Sequence, residues 1–570
     1  MKKINIVFIL LILTGIMQAQ DRSQPKPGTS PVVNIKKPQT FVLANGLKVM
    51  IVENNKLPRV SYSLTLDNAP FAEGNKKGVD ELTSSLIGNG SKKTLKDAFN
   101  EEVDFLGANI NFSSQGAYAS SLSKYAQRIL ELMAEGALHP NFTPEEFDKE
   151  KAKLIESLKA DEKSVPAIAN RVVDALAFGK THPSGEFMTE ETIKNVTLAD
   201  IETNYTNYFV PENAYLVIIG DVKYKKIKPL VEKLFSSWQK RSTPKLTYSA
   251  PENVAFTQIN FVDVPNAVQS EISLVNTLNL KMGDPDFFPA VIANQVLGGD
   301  FNSYLNMNLR EKHAWTYGAN SIIGSGKYVT KFKATSAVRN VVTDSAVVEF
   351  IKEIKKIRTE KVSDDVLGNV KAGYIGRFVM QVEKPQAVAR YALNIETENL
   401  PADFYEKYIQ TINAVTADDV LRVANKYFLL ENTRIVIAGK GSEVIPALER
   451  LKIPMLFFDK YGSPLEKPVF KKDVPAGVTV KTVLDNYIKA IGGDKAVAAV
   501  KTIAMTGSTT IPQAPTPLSF TSKIDAKGKL NVEISMGGMS LMKQVVSEKG
   551  AYIIQQGQRK DLEGAELAEM

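Results

Sequence analysis

"NVTLADIETNYTNYFVPENAYLVIIGDV", Asn195 to Val222, decides the fold because the chain uses it twice. At an offset of 219 residues, without a gap, stands "AVTADDVLRVANKYFLLENTRIVIAGKG", Ala414 to Gly441. Val196 falls on Val415, Thr197 on Thr416, Asp200 on Asp419, Tyr208-Phe209 on Tyr427-Phe428, Asn213 on Asn432 and Gly220 on Gly439. Each copy reads as a capped helix, a turn and a buried strand, with Thr197 and Thr416 as N-caps whose hydroxyls take up orphan backbone N–H groups. Solenoid repeats recur roughly every 20 to 50 residues, so a spacing this long predicts two duplicated lobes.

Both lobes open on strand-rich sequence and continue into helices. In "TFVLANGLKVMIVEN", from Thr40, apolar and polar residues alternate around Asn45-Gly46, a short-range hairpin signal. The strand "RVSYSLTLD" follows from Arg59, then helices near 77–88, 94–106, 124–137, 143–163 and 165–178. The second lobe offers strands around 257–277 and 315–336, with helical stretches over 284–312 and 340–428. Sheets covered by helices in two copies make this an α+β chain, with homologous lobes of antiparallel-rich sheet at 38–240 and 250–460. The Pro-, Gly- and Lys-rich stretch 461–478 reads as a linker. Beyond it, Val480, Val483, Leu484, Tyr487, Ile488 and Ile491 fall at helical spacing, and Gly492-Gly493 supplies a stop. Strand-like runs such as "KTIAMTGSTTI" and "KLNVEISM" come next. Region 479–570 is therefore expected to pack one helix on an antiparallel meander, and it reads as incomplete because "GAELAEM" supplies no closing strand.

With 570 residues, 44% of them hydrophobic, the chain has material for several cores. It contains no cysteine, which excludes disulfides, thiolate metal sites and cysteine nucleophiles. Its start, "MKKINIVFILLILTGIMQAQ", sets Lys2 and Lys3 before an apolar run shorter than the ~20 residues a spanning helix needs. Residues 1–20 read as a signal peptide cleaved near Ala19 or Gln20, which predicts a periplasmic or secreted protein. No later run is long enough to span a bilayer. Net charge is +7, but 70 basic residues are interspersed with 63 acidic ones and form no basic stripe, which argues against nucleic acid as a partner.

Several stretches between Pro38 and Lys460 carry a resemblance: "FVLANGLKVMIVEN", "FLGANINFSSQGAYASSLS", "HPNFTPEEFDKEK", "THPSGEF" and "LGGDFNSYLNMNLREKHAWTYGA". Together they resemble the pitrilysin/insulinase family of zinc metallopeptidases. That family's active lobe carries H-x-x-E-H on a helix, two histidines facing one zinc ion and a glutamate acting as general base on bound water. Aligned on Gly78 and Gly90 of "GVDELTSSLIGNGS", this chain has Glu81 at the first histidine, Ser84 at the glutamate and Ser85 at the second histidine. The third ligand position falls on Ser157, with Glu156 one residue off and so turned about 100° around the helix. Only His139, His182 and His313 exist, none paired at i,i+4, and the first two precede prolines in loop-like sequence. Asp80 and Glu81 diverge too far on a helix to converge on one substrate atom, and read as acidic residues at a helix start. No zinc site and no peptide hydrolysis are expected of this chain alone.

The resemblance implies more for the second lobe. Family members that work as two chains place the zinc helix on one and an arginine and a tyrosine on the other, and "LREKHAWTYGA" keeps both as Arg310 and Tyr317. A guanidinium there would clamp a substrate carbonyl or carboxylate, and a phenol would donate to the developing oxyanion. Gly298-Gly299 would permit a close backbone approach and is given no site role. The expectation is a non-catalytic subunit of a periplasmic two-chain peptidase. Its partner would bear H-x-x-E-H and the zinc, and its substrates would be peptides that add to a sheet edge as a strand. The alternative is an inert scaffold or peptide-binding protein of the same fold, as this family supplies to respiratory complexes. An unrecognised hydrolase is disfavoured, because neither G-x-S-x-G nor a pair of carboxylates stands out.

Overall fold

Both copies of the repeat close a capping box. Thr197 Oγ1 accepts from Asp200 N at 3.3 Å while Asp200 Oδ2 accepts from Thr197 N at 2.9 Å, and Thr416 and Asp419 repeat the pattern at 3.1 and 3.0 Å. The structure, a computed structural model, describes residues 37–244, 247–470, 474–511 and 516–563, so the signal peptide expected at 1–20 lies outside the described residues. The chain divides into two units, Met1–Pro468 and Val469–Met570.

In the first unit, β1 (Gln39–Val42), β2 (Lys48–Glu53), β3 (Arg59–Leu66), β4 (Asn109–Ser113), β5 (Gly116–Leu122) and β6 (Ala214–Gly220) form a sheet of order β1-β2-β6-β3-β5-β4. Around it lie the helices α1 (Val79–Leu86), α2 (Ala126–Leu138), α3 (Pro144–Asp161), α4 (Val165–Phe178) and α5 (Leu198–Tyr208). The Asn45-Gly46 signal does make the β1–β2 turn, with Gly46 at φ +102°. Asn45 reaches back from that turn to donate to the carbonyls of Phe235 and Trp238 at 2.8 and 2.9 Å, closing the end of the lobe.

The second sheet contains β7 (Gln258–Asp263), β8 (Gln269–Leu278), β9 (Ala319–Ile323), β10 (Thr330–Arg339), β11 (Arg434–Gly439), β12 (Met455–Phe458) and β13 (Pro464–Leu465), in the order β13-β12-β7-β11-β8-β10-β9. Its helices include α6 (Thr343–Thr359), α7 (Pro385–Thr397) and α8 (Ala417–Tyr427). The duplication is visible in the registers. In each lobe the repeat's strand inserts between the first two long strands, parallel to one and antiparallel to the other: β6 between β2 and β3, β11 between β7 and β8. Sheets covered by helices in both lobes make the fold α+β.

Each sheet buries one face under helices of its own lobe and part of the other under a helix of the opposite lobe. In the second lobe Ile259, Phe261, Leu274 and Ile437 pack with Phe350 and Ile354 of α6. On the reverse face Val262, Val275, Val436 and Ala438 pack with Ile168, Val172, Val173 and Phe178 of α4, which comes from the first lobe. In exchange, Ala389 of α7 packs on Met50, Val52, Tyr215, Val217 and Ile219 of the first sheet. Full burial contributes about 1.5–3 kcal/mol per large apolar side chain, so this exchange ties the lobes together strongly.

Part of the stretch read as linker belongs to the first unit. Tyr461 donates to Glu162 at 2.5 Å and stacks on Phe187, Lys460 pairs with Glu162 at 2.9 Å, and Pro464-Leu465 extends the second sheet. One aromatic held by a half-buried carboxylate outweighs a loop-like composition.

The second unit contains α9 (Val480–Ala490), α10 (Gly493–Ala499) and six strands, β14 (Thr502–Thr509), β15 (Leu518–Asp525), β16 (Leu530–Met536), β17 (Met539–Ser547), β18 (Gly550–Gln555) and β19 (Gln558–Leu562), paired in sequence order as an antiparallel meander. The expected packing of the helix on the meander is not found, since α9 buries none of its residues. A second short helix follows Gly492 rather than a strand.

Candidate functional site

The helix α1 forms because Val79, Leu82, Thr83 and Leu86 fall on one stripe, which buries against Phe147 and Leu158 of α3 and against Ile193 and Ile201. Gly78 precedes it at φ +117°, a left-handed conformation that favours glycine. The remaining residues divide between two directions. Asp80 and Ser84, one turn apart, face the β4–β5 turn, whereas Glu81 and Ser85 are exposed.

On the first of these directions a closed set of hydrogen bonds surrounds Ser84, the residue that the resemblance aligns with the family's general base. Ser84 Oγ donates to Ser114 Oγ at 2.9 Å, and Ser114 Oγ donates to Asp80 Oδ2 at 2.9 Å. The Ser114 backbone N–H returns to Ser84 Oγ at 2.9 Å. Asn204 of α5 donates to Asp80 Oδ1 at 3.3 Å and to Thr83 Oγ1 at 3.1 Å. Ser85, which the resemblance aligns with the second histidine, turns its hydroxyl onto the carbonyl of Glu81 at 3.0 Å. Ser157 is exposed on α3, and its neighbour Glu156 points to solvent and pairs with Lys159 at 2.8 Å. A zinc ion needs three or four converging N, O or S donors, and this set does not fit one. Two of the four positions are committed elsewhere by hydrogen bonds, and among the described residues no three His, Cys, Asp or Glu side chains gather to hold a metal ion.

Asp80 does lie in the first turn of α1, but its carboxylate is engaged on both oxygens by side chains from elsewhere in the lobe and is not simply solvated. Beneath the same helix start lies a polar cluster with no sequence signal beyond its residue types. Glu73 accepts from the N–H groups of Gly78 and Asp80 at 2.9 and 3.0 Å, and its other oxygen meets Lys77 Nζ at 2.5 Å. Glu186 meets Lys77 at 3.2 Å and accepts from Glu73 N and Gly74 N. Burial disfavours the Lys77 ammonium, but the two carboxylates outweigh it and hold its pKa above that of a free lysine.

The histidines are dispersed. His139 is exposed at the end of α2. His182 is buried, stacks on Phe178, and accepts from Ser184 N at 3.0 Å through Nδ1, and burial lowers its pKa. His313 stacks on Trp315 with ring centroids 4.1 Å apart.

Arg310 lies on a π-helical turn, Met307–Lys312, a backbone form often found at functional sites. A second such turn, Gln295–Gly299, precedes it. A Cβ on Gly298 would lie 2.4 Å from Ser321 N, so this glycine is required by the approach of β9. The Arg310 guanidinium sits 4.9 Å over the Phe301 ring and 3.4 Å from Glu311. Asn308 anchors the turn by donating to Glu349 and Glu353 of α6 at 2.6 and 2.5 Å. Tyr317 is 93% exposed, yet its backbone is held on both sides. Thr316 Oγ1 accepts from Gly318 N at 3.1 Å and from Ser336 Oγ at 2.9 Å, and Ala319 N donates to Asn306 at 3.3 Å. Phe301 and Met307, 56% and 42% exposed, adjoin this loop in sequence. The structure thus gathers Glu81, Ser84 and Ser85 on α1, and places Arg310 and Tyr317 on neighbouring segments of the other lobe. Among the described residues no hydrogen bond or ion pair joins the two groups.

The duplicated α+β fold agrees with the comparison to known proteins. Residues 48–190 match the family described as Insulinase (Peptidase family M16), and residues 195–374 match Peptidase M16 inactive domain. The chain belongs to the M16 peptidase family. It is similar to the uncharacterized zinc protease YmxG of Bacillus subtilis, 21% identical over 414 residues that cover 70% of this chain and 98% of the relative. It is also similar to the non-peptidase homolog YmxG of Helicobacter pylori, 20% identical over 385 residues, 66% of this chain and 88% of the relative. The crystal structure of a peptidase M16 inactive domain from Pseudomonas fluorescens superposes with a TM-score of 0.64 at 22% identity, covering 70% of this chain and 98% of that one. Within M16 this chain is a member whose catalytic donors are replaced. No helix among the described residues is long and apolar enough to cross a membrane.

Proposed function

We propose that this chain is the non-catalytic subunit of an exported, two-chain M16 peptidase. It lends Arg310 and Tyr317 to the site of a partner that carries H-x-x-E-H and zinc. The observation that carries this reading is Tyr317, a phenol 93% exposed on a loop fixed by Thr316, Ser336 and Asn306 and following the anchored turn of Arg310 in sequence. Rigid backbone under an exposed aromatic is costly to keep without use, and exposed Phe, Met and Tyr with a half-buried Arg are the residue types that interface cores favour. In the partner's site the Tyr317 O–H would donate to the oxyanion of the attacked peptide carbonyl, and the Arg310 fork would hold a substrate carbonyl or carboxylate. Peptide would be held extended along β4, which among the described residues pairs only with β5 and so is an edge strand of its sheet.

The test measures peptidase activity and zinc content of this chain alone, and then after mixing with an H-x-x-E-H homologue from the same cell. The chain alone is expected to be inactive and zinc-free, and the mixture active. Tyr317→Phe and Arg310→Ala should each lower kcat of the mixture by about 100-fold or more, the scale of a lost oxyanion donor. The inert-scaffold reading is favoured by the similarity to a relative named as a non-peptidase homolog. It predicts unchanged activity in both variants.

A further inference from the structure

The reverse face of the first sheet is only half covered. Helix α7 packs on β2 and β6 through Ala389, while β3, β5 and β4 leave Ser61, Tyr118, Ser120 and Asn109 uncovered. The α7 N-terminus, at Pro385 and Gln386, overhangs this region, and between them lies a cleft of about 480 Å³, within the range of ligand sites. Its floor is neutral and hydrogen-bonding, with Tyr118 Oη donating to Ser61 Oγ at 3.4 Å. At its mouth stand Lys56 and Arg59, whose side chains pair with no carboxylate among the described residues. Both are set by a tight turn in which Arg59 N donates to the Leu57 carbonyl at 2.8 Å and Lys56 N to Asn54 Oδ1 at 3.1 Å. Val60 is buried under the opposite face, so the alternation of β3 turns Arg59 to the same side as Ser61. The α7 N-terminus has no side-chain cap and no acidic residue in its first turn, and adds partial positive charge. The one acidic residue on the lining, Glu383, is exposed.

We infer that this cleft is an anchoring site for the C-terminal carboxylate of a peptide. Two free cations and an uncapped helix start would neutralise the carboxylate, and the serine, tyrosine and asparagine side chains would bond the last peptide groups without selecting side chains. Asn109 and Ser113 mark the two ends of β4, about 14 Å apart at strand rise. A chain anchored at the Asn109 end therefore runs along the open edge toward Ser114 and α1. This rests on the reading of the protein as a peptide-handling subunit and names which end of the peptide it holds.

The test uses the purified full chain without partner and a short uncharged peptide labelled at its N-terminus, prepared as the free acid and as the C-terminal amide, with binding read by fluorescence anisotropy at low salt. The free acid is expected to bind about tenfold more tightly or better, the scale of one charge-assisted hydrogen bond. Lys56→Ala with Arg59→Ala should erase that difference, and Arg59→Glu should invert it. Both residues are exposed, so an unchanged thermal melt is the control for folding. Equal binding of acid and amide, no binding of either, or a preference that survives the double substitution overturns the inference. So does an amidated peptide ending in glutamate that binds as well as the free acid, since recognition would then not be terminal. Loss of reconstituted activity in Tyr317→Phe is unaffected by these outcomes, so the two readings fail separately.

Discussion

Replacing Ser114 by alanine tests whether the hydroxyl network under α1 has become a structural substitute for a metal centre. Ser114 is 5% exposed, and its hydroxyl both donates to the Asp80 carboxylate and accepts from Ser84, each at 2.9 Å. A hydrogen bond to a charged group contributes about 1.5–3 kcal/mol and a neutral one about 1 kcal/mol. Asp80 keeps one longer bond, from Asn204 at 3.3 Å, which offsets part of the loss. The expected destabilisation is therefore about 2–3 kcal/mol. Ser84→Ala removes the same Ser84–Ser114 bond and strands the Ser114 backbone N–H, so it should cost about 1–2 kcal/mol. Because the bond is shared, the double variant should fall short of the sum by about 1 kcal/mol. The chain's only tryptophans, Trp238 and Trp315, lie in the first unit, so fluorescence-monitored urea unfolding reads that unit without the second. Ser114→Ala within about 0.5 kcal/mol of the parent, or strict additivity with Ser84→Ala, would refute the idea of a coupled network.

Asp286 gives a pH-dependent prediction. Burial alone would raise its pKa, but Lys426, Arg422 and Tyr427 donate to it and bring it down to about 2. A depressed carboxylate stabilises fully above its unfolded pKa near 4, and that stability fades as pH falls toward 2. Asp286→Asn should cost about 1–2 kcal/mol at neutral pH and almost nothing at pH 2, as read by paired melts across that range. Val172 of α4 is fully buried against the second sheet, and Val172→Ala should cost about 2 kcal/mol, methylene loss plus cavity. Hydrogen exchange should then quicken in β8 and β11 of the second lobe rather than in β5, although the substituted helix belongs to the first.

How much was legible in the sequence depended on the range of the physics. Thr197 with Asp200 and Thr416 with Asp419 close their boxes within one helical turn, so both N-caps are legible in the sequence once the ungapped match has located the two copies of the repeat. The three positions that the resemblance aligns with H-x-x-E-H are equally local, since Glu81, Ser84 and Ser85 share one helix. What surrounds them was not readable. Ser114 and Asn204 lie 30 and 120 or more residues away, and serine or asparagine in a loop or helix announces no partner. Nor did the amphipathic stripe of α4 say which sheet it covers, because periodicity gives the face of a helix and not the surface it meets. Composition misread Tyr461, whose bond to Glu162 crosses some 300 residues.

The traded helices also bear on how the gene product can be divided. Cutting between the lobes near residue 245 would leave each fragment holding a helix built to fit its sibling and a sheet stripped of its outer cover. Two such halves, made separately, would be poorly soluble alone and would recover order only when combined, so assembly of this polypeptide is a joint event rather than two sequential ones.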